Sequence, residues 1–266
     1  DFCYAVRREV IAEVGLADEG YGRGPCWEMD YNLRAARAGW RGVWACSAYV
    51  WRAPVAEWRR RQEARLFEAS KRRYQDKFCA ARLGGTRTDY CRHCRGESCP
   101  DFAPPPLSQA RTDEPAPTRS PLPPPETAAV RLSIDVGDPL LVSCIMPTCD
   151  RLRFVPQALQ CFRRQNYSRL ELIVVDDGAQ SVEPLLPPDP RIRFVRLPNK
   201  QCLGAKRNLA CAMAQGEVIA HWDDDDWYPP DRIQSQVTAL SRHQYAICGT
   251  SSLFFYEPQT GRAWQY

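Results

Sequence analysis

Four consecutive aspartates, Asp223 to Asp226, stand in the stretch GEVIAHWDDDDWYPPDRI. Adjacent carboxylates repel one another and cost stability unless a cation neutralises them. Mg2+ and Mn2+ prefer oxygen ligands, and they are commonly held by one or two carboxylates together with phosphate oxygens. An Asp-x-Asp at a strand end offers such a pair. The ion would bridge to a diphosphate and stabilise its charge as it leaves. Two other apolar runs end in polar groups: Pro147-Thr148-Cys149-Asp150 and Asp176-Asp177. Asp176 or Asp177 could accept a hydrogen bond from a base imide or a ribose hydroxyl. Arg207, at the start of a helix after a glycine turn, is a candidate phosphate contact. A solvated acidic turn is the bland alternative for the tetrad. The convergence of three strand ends outweighs it.

The elements that would position these groups alternate. PLLVSCIMP, LELIVVDDG, RIRFVRLP and EVIAHW read as strands, and the continuous apolar runs suit a parallel sheet buried on both faces. Asp150 is placed to cap a helix carrying Phe154, Leu159 and Phe162, and LGAKRNLACAMAQG reads as a helix closed by Gly216. Strand and helix in alternation imply an α/β fold, in which ligands bind beyond the carboxyl ends of the strands.

The chain has 266 residues, 13 cysteines and a net charge of +4. That charge is too mild for a dedicated nucleic-acid binder. No apolar run approaches the roughly 18–20 residues of a membrane span. No signal peptide is visible, and most cysteines sit singly in apolar segments, as Cys144 and Cys248 do, so reduced thiols in a cytoplasm are expected. The absence of an initiator Met is read as processing or as a fragment. Three pieces are expected: a globular segment 1–85, a Cys cluster and Pro-rich linker at 86–139, and a second globular segment 140–266.

The stretches LVSCIMPTCDR, LELIVVDDGA, LGAKRNLACAMAQGEVIAHWDDDDWYPPDRI and CGTSSLFFYEPQTGRAWQY together resemble family 2 glycosyltransferases of the GT-A fold. The resemblance implies a Rossmann-like nucleotide-diphospho-sugar transferase half in 140–266. It implies a nucleotide-sugar set of Pro147, Thr148, Asp150, Asp176, Asp177, Arg207, Asp223 and Asp224. It also implies an Mn2+ or Mg2+ site at Asp223 and Asp225, with Asp226 as a further candidate because four aspartates leave the register open by one. Implied partners are a UDP-, dTDP- or GDP-linked sugar and a glycan or other hydroxyl acceptor. Polysaccharide biosynthesis is the family-level expectation.

FCYAVRREVIAEVGLADEGYGRGPCWEMDYNLRAARAGWRGVWACSAYVWR resembles the acceptor half of the same family. Glu28 takes the place of the catalytic base of inverting transfer, and Asp30 that of the supporting acid on the same helix. Asp30 and Arg34 are spaced i,i+4 for an ion pair. Glu28 also reads as an ordinary acid favoured by a helix N-terminus. Two departures stand out: Trp27 where an acid commonly precedes the base, and Trp51-Arg52 where a histidine commonly follows the next strand. The simplest arrangement is a slice through a tandem enzyme. The other is a single permuted unit, which would bring Glu28 within several ångströms of the Asp run.

Cys91, Cys94 and Cys99, with His93 or Cys79, resemble a zinc knuckle, and the expected ligand set is Cys79, Cys91, Cys94 and Cys99 around a structural Zn2+. Free loop thiols are the alternative. The helix VAEWRRRQEARLFEASKRRYQDKFCAARL is basic, with Trp58, Leu66, Phe67, Tyr74 and Phe78 on an apolar side. It is expected to pack on the first segment with its charges solvated, and peripheral contact with an anionic lipid surface is compatible with it. His221 is expected to be a satisfied structural histidine. The functional expectation is a metal-assisted inverting glycosyltransferase. The alternatives are a non-catalytic nucleotide-sugar or glycan-binding fragment and a zinc-stapled interaction protein.

Overall fold

The computed structural model describes residues 4–22, 26–52, 57–94, 96, 99, 101–102, 139–242, 245–257 and 262–265. Most of the Pro-rich linker and the side chains of Trp51, Arg52 and Trp58 lie outside the described residues. The elements in chain order begin β1 (Ala5–Arg7), α1 (Arg8–Val14), α2 (Trp27–Arg37), β2 (Gly42–Arg52), α3 (Glu57–Phe78) and α4 (Ala80–Leu83). They continue with β3 (Val142–Thr148), α5 (Val155–Arg163), β4 (Leu170–Asp176), β5 (Ile192–Arg196), α6 (Leu203–Met213) and β6 (Val218–His221). The last are α7 (Arg232–Arg242), β7 (Ile247–Glu257) and β8 (Arg262–Gln265).

The expected α/β class is present as one mixed sheet in the order β2-β7-β1-β6-β3-β4-β5, with β8 paired to β7. β6, β3, β4 and β5 are mutually parallel. Along β3 and β4, alternate residues feed two cores. Cys144, Met146, Leu172 and Val174 enter one, while Ile145, Ile173 and Val175 enter the other. Only a sheet covered on both faces lets every position be apolar, which explains the unbroken runs. Phe162, Ile233 and Leu240 from α5 and α7 complete the first core, and Val10, Tyr31 and Ala210 from α1, α2 and α6 complete the second.

Segments 1–85 and 140–266 share this sheet. β1 lies between β6 and β7 and is antiparallel to both, pairing Ala5 with Ala220 and with Cys248. β2 runs parallel to β7. The Asn208 amide exchanges hydrogen bonds with the Ala17 backbone at 3.1 Å each way and donates to Glu19 Oε1 at 2.9 Å. Arg8 Nε donates to the Gly216 carbonyl at 2.7 Å.

Two local expectations differ from the structure. Asp150 is not a helix cap: α5 starts at Val155 after Phe154, and Asp150 itself takes a left-handed turn at φ 55°. Its short polar side chain tolerates that conformation by bonding locally. α6 ends at Met213 with Ala214 extended, so Gly216 does not close it. Gly216 instead lets two chains approach, since a Cβ there would lie 2.5 Å from the Leu141 carbonyl oxygen.

α3 packs through Tyr74 and Phe78 on Leu33, with Phe102 alongside, whereas Phe67 is exposed. Its charges are not simply solvated. Arg73 Nη2 lies 2.7 Å and Lys77 Nζ 2.9 Å from Asp18. Partial burial pushes the Asp18 carboxyl up, but the bonds from Arg73 and Lys77 outweigh it and hold the group well below its ordinary range. A depressed carboxylate contributes stability above its unfolded value of about 3.9 that is lost as pH falls. Asp18→Asn is expected to lower stability by about 1 kcal/mol near neutral pH, with the difference vanishing in acid, as measured by urea unfolding. No helix among the described residues is long and apolar enough to cross a membrane.

Candidate functional site

A cavity of about 420 Å³ opens at the carboxyl ends of β3, β4 and β6. Trp222 follows β6 and is fully buried against Phe162 and Tyr228, which fixes the chain just before the acidic run. Asp223, Asp224 and Asp225 then face the cavity. Asp226 does not line it: this residue is 1% exposed, with Oδ2 3.5 Å from the Tyr228 hydroxyl.

Arg151 neutralises two members of the run. Its Nη1 lies 3.0 Å from Asp224 Oδ1 and 2.5 Å from Asp225 Oδ2. Thr148 Oγ1 donates to Asp224 Oδ2 at 2.6 Å. Burial pushes the Asp224 carboxyl up to about 6, with Asp225 and Asp223 adding to the effect and Arg151 opposing it. Arg207 Nη2 lies 3.2 Å from Asp223 Oδ1. Among the described residues, no group of three or more His, Cys, Asp or Glu side chains is gathered as a metal site. A cation that takes only one or two carboxylates, with the rest of its shell from water and phosphate, does not need such a group. In donor type, the three carboxylates on the cavity wall fit that demand.

The two aspartates after β4 part company. Asp176 is fully buried, accepts from the Gly178 and Val182 amides at 2.8 and 3.0 Å, and pairs with Arg196 at 2.7 Å. It holds the turn and does not line the cavity. Asp177 does line it, with Lys206 Nζ 2.7 Å from Oδ1 and the Gln201 amide 2.8 Å from Oδ2. Burial raises the Asp177 carboxyl, but those bonds prevail and lower it overall. Lys206 also donates to the Thr148 carbonyl at 2.9 Å, tying the end of β3 to that of β4. Pro147, Thr148 and Asp150 line the same cavity, and Asp150 pairs with Lys200 at 2.9 Å. The bond from Lys200 and the Ala179 amide bring the Asp150 carboxyl down to about 2. Gly178 is needed here, because a Cβ would meet the Asp150 nitrogen at 2.5 Å.

Glu28 approaches from segment 1–85. It occupies the first turn of α2, is 8% exposed, and its Oε2 is buried with no hydrogen-bond partner. Burial pushes its carboxyl up to about 7, Arg207 pulls it down, and Asp223 pushes it further up. Glu28 does not line the cavity, but it lies near enough to Asp223 and Arg207 to feel both charges. Asp30 is fully buried and forms the expected pair with Arg34 Nε at 2.7 Å. It also accepts from Tyr21 at 3.0 Å and contacts Lys77. Trp27 stacks on His221 with ring centroids 5.2 Å apart, and the Arg207 guanidinium lies 4.7 Å from the Trp27 ring. Burial drives the His221 ring well below its ordinary value, so it is neutral. Its Nδ1 has no partner, unlike the satisfied histidine expected.

Arg151, Lys206 and Trp27 carry much of this geometry and were not singled out as site residues from the sequence. Lys206 was findable: Leu203, Lys206 and Arg207 fall at i, i+3 and i+4, and all three line the cavity. Arg151 follows a turn whose left-handed residue carries no reliable sequence signal. Cys79, Cys91, Cys94 and Cys99 line a separate small cavity together with Tyr74 and Phe78 of α3. Each is a free thiol, and the exposed His93 does not line that cavity.

Residues 143–265 match the family described as Glycosyl transferase family 2. The chain is 39% identical over 98 residues to WcaA of Escherichia coli (strain K12), named for glycosyl transfer in colanic acid biosynthesis. That alignment covers 35% of each protein. It is 33% identical over 86 residues to the succinoglycan biosynthesis protein ExoO of Rhizobium meliloti (strain 1021), covering 31% of this chain and 25% of that one. The chain therefore spans about a third and a quarter of these relatives' lengths. Among solved structures it is similar to the mannosyltransferase PcManGT of Pyrobaculum calidifontis, solved with GDP-Man and Mn2+. The identity is 25% and the TM-score 0.37, over 40% of this chain and 35% of that one.

Proposed function

We propose, on the premise that residues 143–265 are a family 2 glycosyltransferase segment, that segments 1–85 and 140–266 work as one sugar-transfer unit. A single observation carries the reading. Glu28, on a helix of the first segment, is buried with one carboxylate oxygen unpartnered, and its neighbour Trp27 stacks on His221 and lies 4.7 Å from the Arg207 guanidinium of the second segment. A buried carboxylate raised toward neutrality suits a general base.

In this reading the cavity takes a nucleoside diphosphate sugar. Asp177, oriented by Lys206, accepts from the base, while Thr148 and Asp150 border the nucleotide. Asp223 and Asp225 would hold a divalent cation, and Arg151 would release Asp225 to it. When bound, the cation offsets charge on the departing diphosphate. Arg207, braced by Trp27, adds a positive charge on the same side. Glu28 takes the proton of the acceptor hydroxyl as its oxygen attacks the anomeric carbon from the face opposite the diphosphate. The bond from that carbon to the phosphate oxygen breaks, and its electron pair leaves with the diphosphate. The configuration therefore inverts. Asp30, held by Arg34, Tyr21 and Lys77, keeps α2 in register behind the base.

Calorimetric titration of UDP, GDP and dTDP, with and without Mn2+, tests the donor site. Metal-dependent binding of one nucleotide is expected, weakened at least about tenfold in Asp225→Ala, in keeping with the loss of one charge-assisted ligand. Absence of binding by all three would refute the donor reading.

A further inference from the structure

We propose, resting on the sugar-transfer reading, that Gln62 and Leu66 of α3 form the subsite for the transferred sugar and that this sugar is uncharged. Both residues line the cavity of about 420 Å³ at the strand ends. Among the described residues, they are the two on its wall that come from segment 1–85.

Helical spacing sets this placement. Gln62, Leu66, Arg73 and Lys77 are separated by four, seven and four residues, which puts them on one stripe of the helix. The C-terminal end of the stripe is anchored. Arg73 and Lys77 both reach Asp18, at 2.7 and 2.9 Å, and Lys77 also contacts Asp30 on α2. A Cβ at Gly20 would clash with the Arg73 guanidinium, so only glycine leaves room for that pair. Tyr74 and Phe78 pack on Leu33 of α2 and fix the rotation of α3 about its axis. The N-terminal half of the stripe then presents Gln62 and Leu66 to the cavity, whereas the exposed Arg65 is off its wall.

The charged groups on the wall are engaged with one another. Arg151 pairs with Asp224 and Asp225, Lys200 with Asp150, Lys206 with Asp177 and Arg207 with Asp223. Each of these cations is spent on a carboxylate. A uronic acid would bring a further negative charge to a wall that already holds Asp223, Asp224 and Asp225. The Gln62 amide offers donors and an acceptor without charge, which suits a sugar hydroxyl. Half-buried Leu66 gives apolar surface to the C–H face of the ring. α3 belongs to the same segment as Glu28, the side from which the acceptor attacks the sugar.

Calorimetry of the full chain with Mn2+ tests this, with each nucleoside diphosphate taken bare, with a neutral sugar and with the matching uronic acid. The probes are UDP, UDP-glucose and UDP-glucuronate; GDP, GDP-mannose and GDP-mannuronate; dTDP, dTDP-glucose and dTDP-glucuronate. For the nucleotide that binds, the neutral sugar nucleotide is expected to bind at least about tenfold more tightly than the uronate, which carries an unpaired charge. Gln62→Met keeps the length of the side chain and removes its amide. It should weaken the neutral sugar nucleotide by about 2–10-fold, the worth of one hydrogen bond, and leave the bare diphosphate within about twofold. Retained binding of the bare diphosphate also shows that the variant is folded. Arg65→Ala should change neither affinity. A uronate bound as tightly as the neutral sugar would overturn the proposal while the donor site stands. So would a Gln62→Met chain whose loss falls equally on sugar nucleotide and bare diphosphate, or on neither. If no bare diphosphate binds the parent, the donor reading fails and the sugar subsite falls with it.

Discussion

Glu28→Gln is expected to cut sugar transfer by about 10²–10⁴-fold, the usual contribution of a positioned general base, while nucleotide binding stays near its parent value. The amide has nearly the shape of the carboxylate but cannot take a proton. The parent rate should rise with pH through about 7, where the buried Glu28 carboxyl ionises, and then level off. In Glu28→Gln that rise should be absent. Stability moves the other way. A carboxyl raised in the folded state binds its proton more tightly there than in the unfolded chain, so its contribution is full below about pH 4 and lost as pH rises through about 7. Above pH 7 the Gln variant should therefore be more stable than the parent, by on the order of 2 kcal/mol. A rate loss accompanied by a stability gain cannot be ascribed to misfolding. A variant that retained most of its turnover with an unchanged pH profile would remove Glu28 from the mechanism.

Lys206→Met should cost about 3–5 kcal/mol of folding stability, because it strands a buried partner charge. Lys206 and Asp177 are each 5% exposed, and Lys206 also satisfies the Thr148 carbonyl. Met fills a similar volume, so the loss would reflect the uncompensated carboxylate more than a cavity. The double variant Lys206→Met with Asp177→Asn removes that charge and should recover a large part of the loss. Denaturant unfolding of the two single variants and the double variant measures the coupling. If Lys206→Met alone unfolds within about 0.5 kcal/mol of the parent, the pair is not the tie between β3 and β4 inferred here.

The parallel part of the sheet was readable because its strands are buried on both faces: runs such as LVSCIM and LELIVV leave little choice of environment. β1 was not readable in the same way. Ala5–Arg7 is three residues long, and its neighbours β6 and β7 come from the other end of the chain, so no local pattern reveals where it inserts. The cavity shows the same division. An acidic run after a strand announces itself, yet Asp176 and Asp177 are adjacent and chemically identical. Their roles separate only through Arg196 on one and Lys206 on the other. Asp226 is likewise set apart from Asp225 by the position of Tyr228, which spacing alone does not reveal.

The insertion of β1 has a kinetic side. Ala5 finds its partners at Ala220 and Cys248, so a chain made from its N-terminus onward cannot form these pairings until both have been synthesised. Until then Tyr4, Val6 and Val10 cannot join the core in which all three are buried in the finished fold. Closing so long a loop costs little in equilibrium free energy, since the entropy grows only logarithmically with length, but non-local pairing slows folding. The segment 140–266 can collapse around β3, β4 and β6 first. During that interval the open edges of β6 and β7 are a template for strand exchange with another nascent chain.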